Sequence, residues 1–170
     1  KSNSIKQYQK LKDSMNKVDS RNAFFDKLVQ LAIKDDNVII LSADTDADSL
    51  KLFKKKYPYR FINTGVAEQQ TINLAAGLAL TGKKVFIYSL LPFITMRCFE
   101  QIKLNICSLN LPITIIGFGT GLTFSHYGPA GHGVIDIGVM RMLPEMQIFN
   151  PCDPVSLEKS ADIAYKSKSP

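Results

Sequence analysis

The sequence predicts an α/β domain, a mostly parallel sheet with helices on both faces. Three observations carry this. Short, nearly continuous apolar runs such as Val38-Ile39-Ile40-Leu41 and Ile113-Thr114-Ile115-Ile116 read as strands buried on both faces. Segments with apolar residues at helical spacing separate these runs. The alternation of the two is the signature of parallel strands joined by crossover helices.

In chain order, Phe25, Leu28, Val29 and Ala32 recur at helical spacing within a helix expected over residues 20–34. A strand follows at 37–41 and a second at 61–63. A helix is expected from Val66 to Leu80, stopped by Gly82. Val85-Phe86-Ile87-Tyr88 is the next buried strand. Pro92 suits the first turn of a helix reaching about Ser108. After the strand at 113–116 comes a glycine-rich loop over 117–133. A short helix over 135–142, a strand at Gln147-Ile148-Phe149 and a last helix from Asp153 complete the order. Residues 1–19 are read as a polar extension or helix, and residues 20–170 as one domain.

Composition narrows the class. Of 170 residues, 45% are hydrophobic and 21% charged, which fits a folded soluble chain and not a disordered one. No apolar run approaches the roughly 20 residues of a membrane span. The lysine-rich start has no apolar core of the secretory type, so the expected location is cytoplasmic. The net charge is +6, densest at Lys51, Lys54, Lys55 and Lys56. Tyr57 and Tyr59 lie beside that cluster, but Pro58 separates them and no recognised motif surrounds them, so it reads as a solvated face, open to anionic substrates, and not as a nucleic-acid site. Cys98, Cys107 and Cys152 lack the spacing of a zinc site or a disulfide framework. Gly117-Phe118-Gly119-Thr120-Gly121 has Leu122 where a dinucleotide fingerprint needs its next glycine.

Ligands of parallel sheets bind beyond the carboxyl ends of the strands. One such place holds an unusual acid. Ile72, Ala75, Ala76 and Ala79 lie four, seven, eight and eleven residues after Glu68, on the same helical face. Glu68 therefore points along a stripe of small apolar residues meant for burial, where a carboxylate needs a partner or a proton. The plainer reading is a first-turn glutamate complementing the helix dipole, worth about 0.3–1 kcal/mol. A capping box would need Ser or Thr at position 65, which is Gly65.

The run Phe61-Ile-Asn-Thr-Gly-Val-Ala-Glu-Gln-Gln, followed by Asn73-Leu-Ala-Ala-Gly-Leu-Ala, resembles the glutamate-bearing helix of the transketolase family's pyrimidine-binding domain. Ser42-Ala43-Asp44 resembles its first strand end. Tyr88-Ser89, Phe93 and Arg97-Cys98-Phe99-Glu100-Gln101-Ile102 resemble its next strand and helix. Leu111-Pro112-Ile113 and Gly128-Pro129 resemble its later strand and loop, and Asn150-Pro151-Cys152-Asp153 its closing strand-to-helix turn. Their order covers nearly all the chain after Arg21.

The resemblance implies thiamine diphosphate as cofactor. Its glutamate, here Glu68, hydrogen-bonds a ring nitrogen of the aminopyrimidine and holds or shares a proton there. It implies Leu91, Phe93, Ile94, Arg97 and Asp44 around the ring. Leu91 and Ile94 stand where many transketolases have aromatic rings, and aliphatic walls give less stacking energy. The family's loop usually reads Asp-Gly-Pro-Thr; here Tyr127 and Ala130 replace the Asp and Thr, and His132 falls where deoxyxylulose phosphate synthases carry a histidine. His126 and His132 are the substrate candidates, with simple surface positions as the alternative.

The chain contains no Gly-Asp-Gly, the family's signature for diphosphate and Mg²⁺. The expected unit is thus one part of an enzyme, active as a dimer or hetero-oligomer with a diphosphate-binding domain or subunit that holds the Mg²⁺. The implied reaction moves a two-carbon ketol unit between sugar phosphates. Deoxyxylulose phosphate synthase-like or 2-oxoacid chemistry, or a non-catalytic interaction subunit, are the alternatives.

Overall fold

The computed structural model describes residues 20–170. The extension expected at residues 1–19 lies outside the described residues. Four strands form one parallel sheet in the order β2-β1-β3-β4: β1 (Val38–Ser42), β2 (Phe61–Asn63), β3 (Lys84–Leu90) and β4 (Thr114–Phe118). Ile40 of β1 sits opposite Phe61 on one side and Phe86 on the other, and Tyr88 of β3 sits opposite Ile116.

Side chains alternate across a strand, so each run of apolar residues feeds two cores. Ile39, Leu41, Val85 and Ile87 face one way. They pack under α3 (Glu68–Leu80), through Ile72, Ala75 and Ala76, and under Ile102 and Ile106. Val38, Ile40, Phe86 and Tyr88 face the other way. They meet Phe24, Phe25, Leu28 and Val29 of α1 (Ser20–Ala32), Leu50 and Phe53 of α2 (Asp48–Lys56), and Ala161 of α7 (Pro154–Lys166). Fully burying side chains of this size stabilises by roughly 1.5–3 kcal/mol each.

Helix α2 is an addition to the sequence reading. Its Leu50 and Phe53 are buried three residues apart, while Lys51, Lys54, Lys55 and Lys56 stay exposed, so the basic cluster is a solvated face. Nine residues crowded with lysines leave too short an apolar pattern to announce a helix.

Two expectations need correction. The single helix from Pro92 to Ser108 is broken. It becomes α4 (Leu91–Thr95), a turn over 96–98, α5 (Phe99–Gln101) and a π-helical turn, Ile102–Cys107. The Thr95 hydroxyl donates to the carbonyl of Leu91 (2.6 Å) and the Cys98 thiol to that of Phe93 (3.4 Å), drawing acceptors from the helix ladder. Ser108 N–H then bonds five residues back, to Lys103 (3.0 Å). The strand at Gln147-Ile148-Phe149 does not form. The Gln147 N–H donates to the Pro170 carbonyl (2.8 Å) and its side chain to Ser167 Oγ (3.3 Å), so the segment is tied to residues 167–170 and not to β4. A groove of about 380 Å³ runs between residues 113–120 and 146–151. The short helix expected at 135–142 is α6 (Asp136–Met140). Asp153 caps α7 through a reciprocal capping box with Ser156.

Connections from β1 lead to β2 on one side, and those from β3 lead to β4 on the other, so the topology reverses between β1 and β3. That reversal opens a crevice at the carboxyl ends of the two central strands. Beside it, a Cβ added to Gly117 of β4 would overlap the end of the Leu91 side chain, which would have to shift. Gly117→Ala is expected to displace Leu91 and lower stability by about 1–3 kcal/mol, read as the shift in a urea unfolding midpoint; unchanged stability would show that Leu91 turns aside freely.

Candidate functional site

At the carboxyl ends of β1 and β2 the chain is held by side chains that bond backbone. Asn63 Oδ1 accepts the N–H groups of Asp44 (3.1 Å) and Gly65 (3.0 Å), and Asn63 Nδ2 donates to Asp44 Oδ1 (3.3 Å). Asp44 adopts a positive φ of 52°, which the Asn63 bonds support, and Gly65 a φ of 72° that favours glycine. Thr64 Oγ1 donates to the Ser42 carbonyl (3.1 Å) and lies 2.6 Å from Thr71 Oγ1. These bonds fix where α3 begins. Across the crevice, the Tyr88 carbonyl accepts from the Ala43 N–H (3.3 Å) and from Thr45 Oγ1 (3.1 Å), binding the end of β3 to the turn after β1.

Glu68 is the first residue of α3, following Ala67, which offers no side-chain cap. Its carboxylate does not cap the helix. Oε2 accepts from Arg97 Nη1 at 2.8 Å. The Glu68 side chain is 4% exposed and that of Arg97 45% exposed, so the acid is buried and its cation stands at the surface. The partner that burial demands is therefore supplied from the break between α4 and α5. The Arg97 guanidinium lies 4.3 Å from the Phe93 ring centroid, and the Arg97 carbonyl accepts from Gln69 Nε2 at 3.2 Å. Behind them sits Cys98, fully buried, its thiol pushed up to about 12 by burial and by the nearby Glu68 charge.

The other sequence candidates divide. Leu91 fills the space beside Gly117, and Phe93, half-buried, carries the guanidinium. Ile94 is fully buried in the core beneath α3 and presents no surface. Asp44 is exposed at the mouth of the crevice. His126 and His132 lie on a separate loop after β4, pinned by paired backbone bonds between Gly121 and Gly133 (2.7 and 2.9 Å). His126 is exposed with its ring centroid 4.2 Å from that of Tyr127, and His132 is half-buried. A row of rings, Tyr88, Phe118, Phe124 and Tyr127, leads from core to loop at centroid spacings of 4.9, 5.7 and 5.9 Å. Among the described residues, no hydrogen bond or ring contact joins either histidine to Glu68 or Arg97.

Sequence reasoning missed Gln69, Cys98 and Ser89. Gln69 carried one faint signal, a polar residue off the apolar stripe beside Glu68. The buried Ser89 Oγ, near the end of β3, has no hydrogen-bond partner, and strand alternation puts it on the α3 side of the sheet with Ile87. A buried carboxylate and an orphaned hydroxyl at the crevice suit a polar heterocycle such as an aminopyrimidine. No helix among the described residues is long and apolar enough to cross a membrane.

With a pKa of about 12, only about one Cys98 in 10,000 is thiolate at pH 8. Burial also raises Cys107, whereas Cys152 is exposed. Iodoacetamide at pH 8 is expected to label Cys152 in the native protein and the other two only after unfolding, as read by peptide mass spectrometry. Native labelling of Cys98 at the Cys152 rate would contradict the packing around Glu68.

Comparison with known proteins agrees with this fold. The chain matches the transketolase pyrimidine-binding domain over residues 16–170. It is 34% identical over 139 residues to a subunit of the apulose-4-phosphate transketolase of Phocaeicola vulgatus, covering 81% of this chain and 45% of that protein. It is 34% identical over 131 residues to a 1-deoxy-D-xylulose-5-phosphate synthase of Clostridium perfringens, covering 76% of this chain and 21% of that one. Among solved structures, a split-gene transketolase described as an inactive beta4 tetramer superposes with a TM-score of 0.78 at 33% identity, over 89% of this chain and 49% of that chain. The chain thus spans less than half the length of these relatives. The match over residues 16–170, together with a parallel sheet and a buried glutamate opening the helix after β2, shows that the chain belongs to the family of transketolase pyrimidine-binding domains.

Proposed function

We propose that this chain forms the pyrimidine half of a thiamine diphosphate site in an enzyme that transfers a two-carbon ketol unit between sugar phosphates. The observation that carries the reading is the Glu68 carboxylate, buried at the crevice and held by one oxygen. A carboxyl group in such a place can hold or share a proton at a ring nitrogen. Leu91 and Phe93 give the ring apolar contacts, Ile94 backs them from the core, and Asp44 stands at the mouth. The thiamine diphosphate itself supplies the electron sink when bound, while the protein supplies position and electrostatics.

The diphosphate and its Mg²⁺ are assigned to a partner domain or subunit, since this chain carries no Gly-Asp-Gly. Support for a partner comes from relatives named as transketolase subunits, including a 6-deoxy-6-sulfo-D-fructose transketolase subunit of a Clostridium species at 35% identity. His126 and His132, on the loop after β4, are assigned to the substrate side. A deoxyxylulose phosphate synthase-like reaction is the second reading. It is favoured by His132 and by the synthase relative.

Tagged protein drawn from its native lysate is expected to bring a Gly-Asp-Gly partner and thiamine diphosphate in equal amounts. The purified complex is then offered a ketose phosphate or a 2-oxoacid as donor. Turnover of the first supports ketol transfer, and turnover of the second alone supports the synthase reading. Glu68→Gln is expected to leave partner binding and Tm unchanged and to cut turnover by about 100–10,000-fold. Wild-type rates from that variant would remove Glu68 from the chemistry.

A further inference from the structure

The resemblance implies Arg97 beside the cofactor, and its contacts in the fold join it to Glu68, Gln69 and Phe93. Glu68 opens α3, and its long side chain has several rotamers to choose from. One oxygen, Oε2, is taken by Arg97 at 2.8 Å. A single N–H contact leaves Oε1 free for a second donor, since an ionised carboxylate has about four acceptor sites.

Arg97 is itself held from two sides. Its guanidinium rests on the Phe93 ring at 4.3 Å, and its carbonyl takes the amide of Gln69 at 3.2 Å. Two consecutive residues of α3, Glu68 and Gln69, therefore grip one residue of the α4–α5 break, one by side chain and one by backbone. This double grip fixes both the direction and the depth of the carboxylate. The cation contributes little as a fold-stabilising ion pair, because it is 45% exposed and screened by solvent.

We propose that Arg97 is a positioning residue, holding Glu68 by Oε2 so that Oε1 faces the ring nitrogen of the bound aminopyrimidine. It acts through Glu68 and touches no reacting atom. This rests on the function proposed above. The same geometry predicts which changes are tolerated. Arg97→Lys keeps a cation within reach of Oε2 but loses the planar group on Phe93, so it should restore part of the effect. Arg97→Met keeps an apolar stem on Phe93 and removes the grip.

The test uses the complex with its diphosphate-binding partner, loaded with thiamine diphosphate. Three quantities are read for wild type, Arg97→Met and Arg97→Lys: the cofactor dissociation constant by calorimetry, the hydrogen–deuterium exchange rate at cofactor C2 by quenched proton NMR, and Tm. Misplacing a catalytic group by about 1 Å costs about 100-fold. Arg97→Met is therefore expected to slow C2 exchange by about tenfold to 100-fold, with cofactor affinity within about threefold and Tm nearly unchanged. Arg97→Lys is expected to fall between that variant and wild type. Exchange at the wild-type rate in Arg97→Met would overturn the proposal. So would equal losses of affinity, exchange and Tm, which are the mark of a structural role. A wild-type complex that neither binds the cofactor nor exchanges its C2 proton would instead overturn the function itself, and this proposal with it.

Discussion

A parallel sheet whose strands are apolar on both faces has to be covered on both faces, and the rest of this structure follows from that requirement. Phe86 and Tyr88 point into one core while Val85 and Ile87 point into the other. Helices must then lie on both sides of four short strands. The chain achieves this by building outward from the centre, β2 beside β1 and β4 beside β3. The crevice between β1 and β3 is the unavoidable result of that order. Asp44, Glu68 and Leu91 all gather near it because each lies just beyond a strand end or at the start of the helix that comes next.

Within this frame, the burial of one carboxylate organises the irregular part of the molecule. A regular helix running on from Pro92 would carry residues 96–98 past in helical register. The hydroxyl of Thr95 and the thiol of Cys98 claim carbonyls of the first turn instead. The helix breaks, then resumes through a π turn. The break leaves the Arg97 carbonyl available to Gln69 and its side chain on Glu68. Interruption of the helix ladder and satisfaction of a buried charge are thus the same feature. Departures from regular geometry gather at such places in folded proteins because surrounding contacts over-determine them.

Much of this was legible in the sequence. The two central strands were marked by apolar runs buried on both faces, while the shorter or mixed runs of β2 and β4 are only partly buried, and the helical stripe of Ile72, Ala75 and Ala76 located Glu68 on a buried face without any structure. Periodicity could not show that Arg97 would reach it. That contact joins residues 29 apart and depends on a helix break that side-chain-to-backbone bonds create. The Gln147-Ile148-Phe149 triplet has the apolar character of a strand, yet its backbone is taken by Pro170, a competition between distant groups that composition does not encode. Ile94, which the resemblance implies near the cofactor ring, is wholly enclosed in the core beneath α3, a degree of burial that the local pattern around it did not show.

The edge position of β4 has a consequence for how the molecule moves. Central strands share their backbone bonds with two neighbours, whereas β4 pairs with β3 alone among the described strands. Local opening costs least where a backbone has fewest partners, so stiffness falls from the middle of the sheet toward that edge. Glu68 opens the helix that follows β2, the other edge strand, and is fastened there by Arg97. The loop bearing His126 and His132 hangs from the compliant margin, tied back by the Gly121–Gly133 bonds. The exposed rings of His126 and Tyr127 thus hang from a strand with one partner, where amide exchange is expected to run ahead of that in β1 and β3.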